Sequence, residues 1–319
     1  MALFNSEWVK DNSPESFRES ISAPDLDISV ITGSTGELRK FVLQNADNEK
    51  ALSYVLYLCR PGADCAARAF EDALSKLPKD EEMRDKLLKE ATDFFLERGN
   101  FDRAIKLLRR RLELKPHDVS IRAALCRALL FKKDFAAARI EFAAALKSAR
   151  EEALSAAAGA PKDSFEAAAA EAAEGIVWSY FLEGVYAEAV SAAKKYKPSE
   201  KDVSVNAILL SYFSLVRLGR RAAAESLLKE ETAKFTGSAE EHILLLEAQG
   251  RVSEGFPYSD PKSEALRRVS FFGGLQDIAT GRPDTARLHL GYAASEPSDS
   301  VIALAAKIEL ERLGPKPKK

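Results

Sequence analysis

The sequence predicts an all-α fold built from a repeated unit, on three observations. Phe101, Ala104 and Leu108 recur as Phe135, Ala138 and Phe142, each 34 residues later. Pro (13) and Gly (16) are sparse for 319 residues, while runs such as Ala167 to Ala170 favour helix. Leu88, Ala91, Thr92 and Phe95 fall on one stripe at i, i+3, i+4, i+7 spacing, the mark of a helix with one buried face.

A period of 34 with an aromatic at the seventeenth position and a small residue at the twentieth resembles the tetratricopeptide repeat. One such repeat is a pair of antiparallel helices that cannot bury its apolar face alone, so neighbours must stack. The resemblance implies a right-handed α-solenoid of about six helix pairs with a C-terminal capping helix, and protein binding as the broad activity. On this reading residues 1–46 are an N-terminal arm and first helices, 47–313 the solenoid, and 314–319 a basic tail.

Taken in order, Ser13-Pro14-Glu15 has the chemistry of a helix start. Asp25 to Thr32 reads as a short strand or extended arm, and Ser34-Thr35-Gly36-Glu37 has capping-box spacing ahead of Leu38, Phe41 and Val42. The Gly33 to Gly36 stretch lacks the Gly-Lys-Ser/Thr ending of a phosphate loop. A degenerate repeat from Asp47 places Ala66, Phe70, Ala73 and Pro78 at positions twenty, twenty-four, twenty-seven and thirty-two. The clearest repeat is 85–118, turned by Gly99-Asn100 and ended by Pro116.

The repeat at 119–150 departs at Arg122, in a normally apolar site, and at Lys133, where the turn glycine belongs. Its second helix is expected to run on through Ala157 until Gly159-Ala160-Pro161, forming an insertion around 150–166, with Asp163 or Ser164 capping the next helix. Units at 170–198 and 205–235 keep the period, with Gly184 and Ala189 matched by Gly219 and Ala224. Glu240 to Ala248 is a helix candidate, and 251–261, with Gly255-Phe256-Pro257 and Asp260-Pro261, is an irregular loop. Gly281, Ala286 and Leu290 resume the pattern, and Ser298 or Asp299 caps a last helix, Val301 to Leu313.

Composition narrows the function classes. A net charge of −2 gives no global field for nucleic acid or an anionic membrane. No apolar run approaches the ~20 residues of a membrane span. Asn5, Glu7 and Lys10 interrupt any signal-peptide core, so the expected compartment is the cytoplasm, or an extracytoplasmic or periplasmic one if a leader was removed. Cys59 and Cys65 flank a turn that would let them bridge in an oxidising compartment. The alternative is two small, partly buried thiols, and Cys126 sits at a helix-packing position.

No catalytic set stands out. His117, His242 and His289 lie in different units without ligand spacing, so no metal is expected. Ser191 to Lys194 matches a Ser-x-x-Lys nucleophile, but neither Ser-Asp-Asn nor Lys-Thr-Gly is present. Glu171, Glu174 and Glu183 read as a solvated or groove-facing helix edge. No cofactor is expected.

In the resembled family the first helix of each pair lines the concave groove, chiefly through positions two, five, nine, twelve and thirteen. That implies a partner-binding set of Lys89, Asp93, Arg127, Phe131, Trp178, Phe181, Phe213 and Arg217. Lys89 matches the lysine with which some members grip a C-terminal carboxylate, but Asp93 stands where their asparagine should be. Two readings are open for Trp178, Phe181 and Phe213. As core they would be covered by adjacent helices; as groove residues they would hold an apolar segment of a protein or peptide partner, with Arg127 and Arg217 pairing its acidic flank. The chain is thus expected to be a non-catalytic adaptor or scaffold, with oligomeric state open. The alternative is a structural subunit whose groove is filled by its own N-terminal arm or a neighbouring subunit.

Overall fold

A computed structural model describes residue 74 and residues 81–155, 162–196, 204–236, 238–249, 264–295 and 300–315. Twelve helices and no strand occur among the described residues. The chain forms two compact units, 1–128 and 129–319. The N-terminal arm, Cys59, Cys65 and the loop at 251–261 lie outside the described residues.

In the first unit α1 (Glu81–Glu97) packs along α2 (Phe101–Leu114). The predicted stripe is buried as Leu88, Ala91, Thr92 and Phe95, and it meets Ala104, Ile105, Leu107 and Leu108 of α2. Gly99 turns the chain at φ +67°, a left-handed conformation that glycine adopts without a Cβ clash. Asn100 then caps α2 by accepting from the Arg103 N–H. The open end of the pair is closed by charge. Asp85 accepts from Arg111 Nε at 2.8 Å and from Lys115 Nζ at 2.5 Å. Burial opposes ionisation of Asp85, but these two cations outweigh it and hold its carboxyl below the ordinary range. The helix α3 (Val119–Phe131) begins in this unit, with the Cys126 thiol buried and in no disulfide.

In the second unit α4 (Phe135–Ser155) and α5 (Lys162–Glu183) make the most extensive helix–helix contact. The described part of α4 runs to Ser155, and the expected end at Ala157 lies outside the described residues; Asp163 and Ser164, the expected caps, lie inside α5. Next come α6 (Tyr186–Lys195), α7 (Val205–Arg217), α8 (Arg221–Lys234) and α9 (Ala239–Ala248). The last three helices are α10 (Glu264–Ala279), α11 (Pro283–Ala293) and α12 (Val301–Leu313). Consecutive helices pack as pairs at α5/α6, α7/α8 and α10/α11. This is the all-α repeat architecture that the sequence predicts.

The register is set by the twentieth position. Ala104, Ala138, Ala189, Ala224 and Ala286 are each 0% exposed, so all five mark the closest approach of paired helices. The turn ahead of each alanine is left-handed, through Gly99, Lys133, Gly184, Gly219 and Gly281. Lys133, at φ 64°, is the single non-glycine with positive φ among the described residues. The last helix is capped by Ser300, which accepts from Ala303 N–H, in place of the expected Ser298 or Asp299, which lie outside the described residues.

Candidate functional site

The eight expected groove residues divide between the units, and the two groups differ in environment. Lys89, Asp93 and Arg127 lie in the first unit; the other five lie in the second. Lys89 and Asp93 stand one turn apart on α1, paired at 3.4 Å, with side chains 47% and 50% exposed. Half their surface is therefore open to a partner. Burial of the lysine stem works against its charge, but Glu90 and Asp93 outweigh it and hold the ammonium above its ordinary value. Arg127 is exposed on α3.

The second group is mostly enclosed. Trp178, Phe181 and Phe213 are buried. Trp178 meets Phe271 of α10 with ring centroids 5.7 Å apart, and Phe213 stacks on Phe272 at 6.2 Å. The expectation that Trp178 points into an open groove does not match these surroundings. Of the two readings, the surroundings match core: α10 packs directly on α7 and brings Phe271 and Phe272 over this face. The indole N–H is also engaged, donating to Glu174 Oε1 at 3.0 Å. Phe131, at the end of α3, is half-buried. Arg217 does not await an acidic partner, because it is paired with Glu309 of α12.

Two of the carboxylates singled out in the sequence, Glu174 and Glu183, act as braces. Glu174 also accepts from Asn206 Nδ2 at 2.8 Å and from the Ser204 hydroxyl, tying α5 to the start of α7. Glu183 binds Arg139 at 2.5 Å. Among the histidines, His289 Nδ1 lies 2.8 Å from Asp277 Oδ2, and Arg282 binds the other oxygen of that buried carboxylate at 2.8 Å. Ser191 is exposed on α6. No described helix is long and apolar enough to cross a membrane.

The surroundings of α12 were not anticipated. It packs on α10 and α11, as a capping helix would, and it also reaches far back along the chain. Lys133 Nζ binds Glu311 Oε2 at 2.8 Å, Arg312 donates to the Leu182 carbonyl, and Arg217 binds Glu309. Two signals for this were in the sequence: Lys133 at a glycine position, and Glu309 set between Ile308 and Leu310.

Comparison with protein families matches residues 95–160 to the tetratricopeptide repeat. A search of curated proteins finds no match.

Proposed function

We propose that this helical-repeat chain, with tetratricopeptide repeats at 95–160, is a non-catalytic protein-interaction adaptor that docks its partner on the charged first-helix face of its first unit. The family's repeats generally mediate protein–protein interaction. The supporting observation is the contrast in exposure. Lys89, Asp93 and Arg127 are open, whereas the groove-position aromatics of the second unit are already covered by α10. A partner that meets Lys89 and Arg127 carries acidic residues, and attraction at such exposed charges acts mainly on encounter rate and selectivity.

The test is affinity capture from the native source with the parent and with the full chain carrying Lys89→Glu and Arg127→Glu. At least one protein retained by the parent falls tenfold or more on the variant. Unchanged recovery on a variant of parental helicity removes this face as the docking site. A structural subunit with a filled groove is the second reading, and α12 favours it for the second unit. There α10 covers Trp178 and Phe213, and α12 packs on α10 in turn.

A further inference from the structure

The seat of α12 is a built surface on the second unit, lined by residues at three alternate inter-helix turns. Lys133 comes from the turn before α4. The Leu182 carbonyl and Tyr186 flank the turn between α5 and α6, and Arg217 ends α7. The Arg217 guanidinium lies 5.9 Å from the centroid of the Tyr186 ring, which in turn meets Phe181 at 5.6 Å. Arg217 is therefore set in place by an aromatic platform. Beside this polar seat α12 packs on α10 and α11, and its small and aliphatic residues, Ile302 to Ala306 and Ile308, are all buried. Its polar ladder then follows: Glu309 on Arg217, Glu311 on Lys133, and Arg312 on the Leu182 carbonyl.

Two features mark this as recognition and not only closure of a core. Glu309 is 1% exposed, and a buried ion pair holds a helix no more tightly than an apolar residue of similar size would; what it sets is register. Lys133 keeps a left-handed backbone where the other four turns use glycine, and its ammonium reaches Glu311. Strain retained at one residue points to a role for its side chain. The tether through residues 295–300 gives α12 a high effective concentration, so contacts of modest strength suffice to hold it.

We propose that this seat is a helix-recognition site with α12 as its resident occupant. The partner it takes is an α-helix with an alanine-rich face followed by an acidic–x–acidic–basic spacing like that of Glu309 to Arg312. The site lies in a different unit from the charged face proposed above, so either proposal can fail without the other.

The probe is a fluorescent synthetic peptide of residues 298–315, titrated against full-length chains and followed by anisotropy. Glu311→Ala with Arg312→Ala loosens the resident helix from its exposed end. That chain binds the peptide at least tenfold more tightly than the parent, and adding Arg217→Gln abolishes the gain. Equal binding by parent and loosened chain overturns the proposal, as does a gain that Arg217→Gln leaves intact. A loosened chain that dimerises without peptide, read by light scattering, assigns the seat to a second copy's α12 and overturns the partner assignment. Should the double variant lose helicity, Lys133→Gly loosens the same contact from the other side. Loss of helicity in both makes α12 part of the core and ends the proposal.

Discussion

Gly175 carries the sharpest packing prediction. It lies mid-helix in α5 beneath the Phe142 ring of α4, and a Cβ added there would sit 2.3 Å from Cε1 and Cζ and 2.7 Å from Cδ1. Relief needs a shift of about 1.2 Å to reach ordinary carbon–carbon contact near ~3.5 Å. The ring cannot swing away freely, since Phe142 is itself buried. Overpacking of this kind costs about 1–3 kcal/mol. Replacing glycine in a helix returns about 0.5–1 kcal/mol of that. Gly175→Ala therefore destabilises the second unit by a net ~1–2 kcal/mol, which lowers its melting temperature by ~2–8 °C for a unit of this size. Thermal unfolding by far-UV circular dichroism reads it. Phe142→Leu placed in the Gly175→Ala background recovers part of the loss, because the two residues touch and their effects do not add. A Gly175→Ala protein that melts with or above the parent refutes this packing.

Three further outcomes follow from the fold. Ala138→Leu at a closest-approach position costs about 1–3 kcal/mol, read by the same melts; an unchanged melt would place the repeat register elsewhere. The folded pKa of Asp85 is depressed, so between its folded and unfolded values the unfolded chain binds more protons and stability rises with pH. The contribution is full above about pH 4 and is lost as pH falls through the folded value; Asp85→Asn flattens this acid limb in denaturant titrations at stepped pH. Lys133→Gly removes left-handed strain of about 1 kcal/mol. It also removes an exposed ion pair worth ~0–1 kcal/mol, so the melting temperature holds or rises slightly.

The parts of the fold legible in the sequence were the local ones. Ala104, Ala138, Ala189, Ala224 and Ala286 share one offset because a paired helix leaves room there for nothing larger. The bounds of α12 could be read from its apolar run and from Gly314-Pro315 beyond it. Trp178 shows where this reasoning stops. Periodicity places it on a helix face, but whether that face meets water depends on α10, whose Phe271 lies far along the chain. Glu309 and Arg217 have the same character, since two charges 92 residues apart carry no common spacing. Lys133 is the intermediate case. Its misfit at a glycine position was visible, and only the fold shows that its ammonium meets Glu311.

Docking on the charged face of the first unit and a core role for the aromatic set of the second unit, both proposed above, lead to opposite outcomes for two substitutions. The most direct measurement is the affinity of a captured partner for three full-length chains: the parent, Lys89→Glu with Arg127→Glu, and Trp178→Phe. Affinity falls at least tenfold for the charge-reversed chain and stays parental for Trp178→Phe, which keeps an aromatic against Phe271. Parental affinity for the charge-reversed chain, with loss on Trp178→Phe at unchanged helicity, would contradict both.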